Sequence, residues 1–483
     1  LASIWRELLA APAIQRHDNF FDLGGHSLLI VQMLDKLRAH GHVVDVRNVY
    51  AAADLADMAA RIEAMGELVG PAVATVPANL IEVGCAAITP DMLPLATLSQ
   101  AEVDHLAAQV PGGISNIQDI YPLVPLQAGM LFHRLLNPEA GDAYILPLVL
   151  EFDAHDRLKS FVSALQTVVN RHDVLRTAVY WRGLAKPMQV VWRQASLSLE
   201  QFEFPSAMQD GDARCEQFLS LMSMAHMRMD MGKAPLIRLV AGHLDADKWM
   251  LSLNVHHMVC DHVSLEVVLQ EVLACMRGQS AMLPEVVPYR DFVWRGLKRG
   301  TDEEASRYFT QRLASVEQPC TLFDMADVHG GGQALQEARQ PLKPEIALGL
   351  RAAARQLGVS PAAIVHVAWA LVAGRCAGQS DVVFGSVLSG RMQGEASGHV
   401  RAHQGLGVFV NTLPVRVDLR AQSPGELVRA TQRDLVELIR FEQSSLAMAQ
   451  RCSGVQGDEP LFNAVLNYRH SAAEQSSLGQ VDG

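Results

Sequence analysis

The sequence predicts a multidomain chain, a small all-α unit followed by a much larger α/β unit. Three observations carry that prediction. At 483 residues the chain is long for a single domain. Residues 1–65 show helical apolar spacing and no convincing strand. From residue 115 onward, strand-like and helix-like stretches alternate, which is the pattern of an α/β architecture.

The elements follow in order. Leu1 to Leu9 read as a helix, with Ile4, Leu8 and Leu9 on one face. Leu28, Leu29, Val31, Met33, Leu34 and Leu37 form a second helical face that stops near Gly41, and Leu55, Met58, Ile62 and Met65 form another. Residues 66–114 are punctuated by Gly66, Gly70, Pro71, Pro77, Pro90, Pro94 and Pro111-Gly112-Gly113, which predicts a linker that packs on its neighbours. Tyr144–Phe152 and Trp249–Val255 read as strands, and Leu158–Val169 and Ser264–Met276 as helices.

Composition excludes more than it identifies. Hydrophobic residues make up 49% and charged residues 19%, ordinary for a globular protein. A formal net charge of −12 argues against a nucleic-acid partner, because phosphate binding needs clustered Lys and Arg. No apolar run approaches the roughly 20 residues of a membrane span, and the first residues lack the features of a secretory signal. The seven cysteines are scattered and form no CxxC pair, so neither a zinc site nor a disulfide framework is indicated. A reducing cytoplasm is the expected location.

The stretch Asp18-Asn19-Phe20-Phe21-Asp22-Leu23-Gly24-Gly25-His26-Ser27-Leu28-Leu29 places a serine after two glycines at the start of a helix. A serine there commonly acts only as an N-cap. The whole string, however, resembles the phosphopantetheine attachment motif of peptidyl carrier proteins. That resemblance implies a four-helix carrier bundle over residues 1–65. It also implies a 4'-phosphopantetheine arm on Ser27, its phosphate set against a helix N-terminus.

Asn254-Val255-His256-His257-Met258-Val259-Cys260-Asp261-His262 lies between a strand and a helix. The pair lacks the i, i+4 histidine spacing of a zinc-binding helix. The stretch resembles the HHxxxDG motif of condensation domains and the chloramphenicol-acetyltransferase-like superfamily. Tyr121 to Gly129, Arg171 to Thr177, Tyr289 to Trp294, Phe384 to Arg391 and Gly407 to Leu413 match further motifs of that family in order. The resemblance implies two chloramphenicol-acetyltransferase-like lobes set in a V, 115–295 and 296–483, the second stopping short. It implies His257 as the catalytic residue, which accepts or relays the amine proton or holds the amine. His256 is then structural. Asp261 forms a buried ion pair, with Arg171 as first partner and Arg176 in reserve. Asn411 lies in a motif near the tunnel. His262 departs from the motif's glycine, so its side chain is expected to point into the tunnel or toward a neighbouring helix.

Gly129 to Asp142, with His133 and Arg134, resembles the extra motif of dual condensation/epimerization domains, and the stretches Glu442–Gln450 and Leu461–His470 agree. By this resemblance the donor residue is inverted from L to D before condensation, and His133 joins His257 in catalysis. Arg134 stands where the motif has its second histidine, and arginine is a poor base that could stabilise an enolate.

The resemblance also implies partners: an upstream adenylation domain, downstream adenylation and carrier domains, a phosphopantetheinyl transferase, and carrier-bound peptidyl and aminoacyl substrates. Condensation without epimerization, a non-catalytic carrier-docking module and a pure epimerization domain are the competing readings.

Overall fold

The computed structural model describes the chain apart from residues 10, 21–22, 26–28, 31–32, 35, 38–39, 41, 43, 45–48, 50–51, 65–75, 137–140, 206–209, 222–227, 246, 299–301, 326–336, 393–404, 421–422, 457–458 and 470–483.

The N-terminal unit is helical where it is described. Helix α1 (Ala2–Leu8) half-buries Leu8 and buries Ile4, but its most buried residue is Trp5, at 0% exposed. The Trp5 ring lies edge-on to Phe20, centroids 5.1 Å apart, and its Nε1–H points at the Met33 sulfur, 3.1 Å away. Ile30, Met33, Leu34 and Leu37 are helical and buried, and α2 (Leu55–Ala64) adds Met58 and Ile62 to the same core.

Residues 76–114 pack as a layer on the large unit. They contain helix α3 (Gln100–Gln109), which opens on a capping box: the Ser99 hydroxyl accepts from the Glu102 N–H, and the Glu102 carboxylate accepts from the Ser99 N–H at 2.8 Å. Val103, Leu106 and Ala107 of α3, with Ile81, Ile88 and Leu93, cover Ile117, Ala178, Val190 and Trp192 of a three-stranded sheet.

That sheet has the order β1-β4-β3, from β1 (Ile117–Pro122), β3 (Thr177–Tyr180) and β4 (Met188–Trp192). Helix α4 (Pro125–Leu136) follows β1. The second sheet of this lobe runs β2-β7-β6-β5, from β2 (Ile145–Phe152), β5 (Leu199–Phe202), β6 (Ile237–Asp245) and β7 (Lys248–His256). Helix α5 (His155–Arg171) lies between β2 and β3 in sequence, and α6 (Gly211–Leu221) between β5 and β6. Helix α7 (His262–Met276) leaves the loop that follows β7. The α5 residues Leu158, Leu165 and Val168 and the α7 residues Val268, Leu269 and Val272 share one core with Leu251, Leu253 and Val255 of β7. Helix α8 (Tyr289–Lys298) closes this lobe, with Tyr289 and Val293 in the same core.

The second lobe holds α9 (Asp302–Leu313), α10 (Pro344–Leu357), α11 (Pro361–Ala377), β8 (Asp381–Ser389), β9 (Val410–Asp418), α12 (Pro424–Leu438), α13 (Leu446–Arg451) and β10 (Val465–Leu466), with strand order β10-β8-β9. Its core contains Phe309, Leu313, Ala370, Phe384, Leu413 and Leu435.

The lobes are not partitioned cleanly by sequence. Leu406 and Phe409, just before β9, lie in the core of the first lobe. Gly407 permits this crossing. Its φ is +146°, and a Cβ there would sit 2.3 Å from the Tyr289 ring. No single described helix is long and apolar enough to cross a membrane.

Candidate active site

The two histidines end β7 and begin the loop to α7, and their surroundings differ. His256 is 1% exposed. Its Nδ1 accepts the Met258 N–H at 3.0 Å, so Nε2 carries the proton that it shares with Asp142 Oδ2, also at 3.0 Å. His257 is half-buried. Its N–H donates to the Tyr144 carbonyl at 2.7 Å, while its Nδ1 is buried with no hydrogen-bond partner among the described residues. Burial, with His256 and Arg469 acting in the same direction, holds the His257 imidazole below its ordinary pKa against a backbone hydrogen bond and the pull of Asp261. At neutral pH the ring is therefore an unprotonated acceptor.

Asp261 is the N-cap of α7. Its Oδ1 accepts from the Ser264 N–H at 2.8 Å and from Arg391 Nη2 at 2.9 Å, and its Oδ2 from the Phe409 N–H at 3.1 Å. Both side chains of the Asp261–Arg391 pair are 2% exposed. Burial alone would raise the Asp261 pKa, but the Arg391 charge and the N–H donors outweigh it and hold the carboxyl below its usual value. The backbone completes the tie, since the Asp261 N–H donates to the Gly407 carbonyl at 3.0 Å.

The expected partners of Asp261 are therefore corrected. Arg171 ends α5 and pairs with Glu271 at 3.2 Å, a residue that also meets His172 at 2.8 Å. Glu271 lies ten residues beyond Asp261 on α7, about 15 Å along a helix axis. The α5–α7 packing thus carries Arg171 past the loop. Arg176 donates to the Gln118 side chain at 2.9 Å and to the Trp192 carbonyl, at the edge of the β1-β4-β3 sheet.

Arg134 is held by two neighbours. The guanidinium pairs with the Asp142 carboxylate and donates to the Met229 carbonyl, in a site where the two side chains are 14% and 2% exposed. It is thus committed to Asp142 in the ground state. Asp142 also accepts from the Tyr144 N–H at 3.1 Å. His133 is exposed on α4, and its Nδ1 lies 2.7 Å from the Tyr144 hydroxyl. His262 is 53% exposed and, against the expected direction, faces Glu266 one turn along its own helix at 3.8 Å. Asn411 donates to the carbonyls of Glu442 and Ser444 at 2.6 and 2.7 Å and accepts from the Thr412 N–H. It is a buried clamp on the 442–444 turn.

Sequence reasoning assigned no role to Arg391, Asp142 or Arg469. Arg391 and Asp142 were both visible as the last residues of recognised motifs, Gly390-Arg391 and Gly141-Asp142. Among the described residues, no group of His, Cys, Asp or Glu is placed to hold a metal ion.

Ser27 lies outside the described residues. The turn before it is described in part: Gly24 has φ +96°, and a Cβ on Gly25 would fall 2.3 Å from the Phe20 ring.

Comparison with known proteins finds a match for both parts of the chain. A phosphopantetheine attachment site model matches residues 1–62, and a condensation domain model matches residues 117–482. Malpinin synthetase of Mortierella alpina is 41% identical over the whole chain, and malpibaldin synthetase of the same organism is 40% identical over the same span. The chain spans only 6% and 8% of the lengths of these relatives. The fold is that of the EpoB cyclization-docking bidomain from Sorangium cellulosum, at TM-score 0.59 and 21% identity over 74% of this chain and 73% of that one. It is also that of the first condensation domain of the calcium-dependent antibiotic synthetase, at TM-score 0.54 and 18% identity over 73% and 80%. This chain therefore belongs to the condensation-domain family of non-ribosomal peptide synthetases, with a phosphopantetheine carrier domain ahead of the condensation domain. Its cofactor is 4'-phosphopantetheine.

Proposed function

We propose that the condensation site joins an acyl or peptidyl donor, held on Ser27, to the amine of an aminoacyl group brought by a downstream carrier domain. The order of the two domains supports this direction, because the carrier precedes the condensation domain in the chain. When bound, 4'-phosphopantetheine supplies the thiol that holds the donor as a reactive thioester.

The observation that carries the reading is His257 itself: an imidazole held neutral by burial, its backbone pinned to Tyr144, beside a loop fastened by Asp261. As the C–N bond forms, the C–S bond of the donor thioester breaks; the amine must lose a proton, and His257 accepts it or passes it on to the departing sulfur. Asp261 and His256 do not touch the reacting groups in this scheme. They hold the loop. The upstream adenylation domain and a phosphopantetheinyl transferase complete the expected partners.

Inversion of the donor α-carbon before condensation is a finer proposal. It needs a second titratable group, and the His133–Tyr144 hydrogen bond supports one, because the Tyr144 carbonyl also anchors His257. Arg134 serves here as a structural cation and not as a base.

A single-turnover reaction tests both. Ser27 is loaded with an L-peptidyl donor, a separate aminoacyl carrier is supplied, and the product is read by intact mass and chiral analysis. A new amide is the expected product, and no amide with any donor would favour a carrier-docking module. A D-configured donor residue would support inversion with Arg134 tolerated. A retained L residue would mark a plain condensation catalyst. A D residue left on Ser27 without an amide would mark a pure epimerization domain.

A further inference from the structure

We propose that Arg134 is a positioning residue for His257, acting through Asp142 and His256. The inference rests on the reading of His257 as the proton acceptor in amide formation. Its starting point is a chain of contacts: Arg134 on α4 to Asp142, Asp142 to His256 Nε2 at 3.0 Å, and His256 Nδ1 to the Met258 N–H at 3.0 Å. Met258 directly follows His257, so the last contact shapes the turn that presents the His257 ring.

The chemistry of the chain explains why a permanent cation belongs at its head. A buried carboxylate needs a counter-charge. If His256 were the only partner of Asp142, the pair would draw a second proton onto the imidazole. An imidazolium has no acceptor nitrogen, so the Met258 N–H would lose its partner. Arginine stays protonated at every working pH. With Arg134 in place, Asp142 has a permanent cation beside it as well as His256, and the ring can present Nε2–H toward Asp142 and Nδ1 to the Met258 N–H. The Met229 carbonyl and the Tyr144 N–H, 3.1 Å from Asp142, fix the two ends of this arrangement. A histidine at position 134 would supply the same counter-charge only while protonated.

The test uses the full chain with Arg134→Met, Arg134→Lys and Asp142→Asn. Three quantities are read: the single-turnover amide rate at several acceptor concentrations, the melting transition, and the His256 tautomer from long-range proton–nitrogen NMR of histidine-labelled protein. Arg134→Met is expected to lower the saturated rate about tenfold or more, the scale on which orienting partners of reacting groups act. The acceptor KM should stay within about twofold, and His256 should leave the Nε2–H tautomer. Arg134→Lys should restore both readouts, since it keeps the charge. A purely structural role would lower the melting point but leave the rate and tautomer of the folded fraction unchanged. That result overturns the proposal.

If Arg134→Met does not fold, Asp142→Asn carries the test. It is expected to show the same rate loss, with His256 moving to the Nδ1–H tautomer rather than to the imidazolium because the carboxylate is gone, and an unchanged rate and tautomer would overturn the proposal. If the native chain forms no amide, the reading of the site fails. The tautomer result still decides whether Arg134 sets the state of His256.

Discussion

Two buried carboxylates sit on either side of the paired histidines, and they work over different ranges. Asp142 collects its partners inside one lobe: Arg134 from α4, His256 from β7 and the Tyr144 N–H. Asp261 collects from both lobes: Ser264 on its own helix, Arg391 at the end of β8, and the Phe409 N–H from the segment that crosses over. Burial pushes each carboxyl toward its protonated form, and in each the surrounding donors win. The difference teaches that the histidine loop has two anchors with different reach. One holds a ring within its own lobe, and the other ties the loop to residues of the second lobe.

The comparison is broken most severely at Arg391. Arg391→Met leaves Asp261 buried without its cation, and removal of one member of such a pair commonly costs about 3–5 kcal/mol. Chemical denaturation should show that loss. The double variant with Asp261→Asn should recover part of it, because the stranded charge is gone.

Next comes the proposed proton acceptor. His257→Ala should lower the single-turnover amide rate by about a hundredfold or more, in the range of a lost general base, with little change in melting. The pH dependence sharpens this prediction. Because burial lowers the His257 pKa, its neutral form persists below the ordinary histidine value of about 6.5. The acidic limb of the pH–rate profile should therefore turn down below that value. A turn above it would contradict the geometry.

A smaller effect is expected at the crossing. Gly407→Ala puts a methyl group against the Tyr289 ring, and overpacking of this kind costs about 1–3 kcal/mol. Thermal unfolding should report it. Smallest of all is His262→Ala. That side chain is 53% exposed and meets Glu266 of its own helix, so stability should change by no more than about 0.5 kcal/mol.

What the sequence made legible was mostly local. Alternation and helical spacing placed β2, α5, β7 and α7 within a few residues of where they stand, because each is a regular element with one face in a core. The histidine pair and its aspartate were legible for the same reason: they occupy one short loop. The partner of Asp261 was not. Arg171 and Arg391 are both arginines in recognised motifs, and only the packing of α5 on α7 and the end of β8 on the loop decides between them. Helix α3 was hidden by the prolines and glycines around it, although Ser99 and Glu102 already spelled its capping box. Trp5 gave no signal because a single aromatic residue leaves no period to detect.

The crossing segment at Gly407 bears on recombination between relatives. A chimera that takes the first lobe from one parent and the second from another would inherit Asp261, Ser264 and Tyr289 from one and Arg391, Gly407 and Phe409 from the other. The residues that meet at the histidine loop would then have mixed parentage, however well each lobe folded alone. A junction ahead of residue 76, before the layer that covers the β1-β4-β3 sheet, leaves that set and that layer whole. Of the two places to cut, the shorter piece is the safer one to exchange.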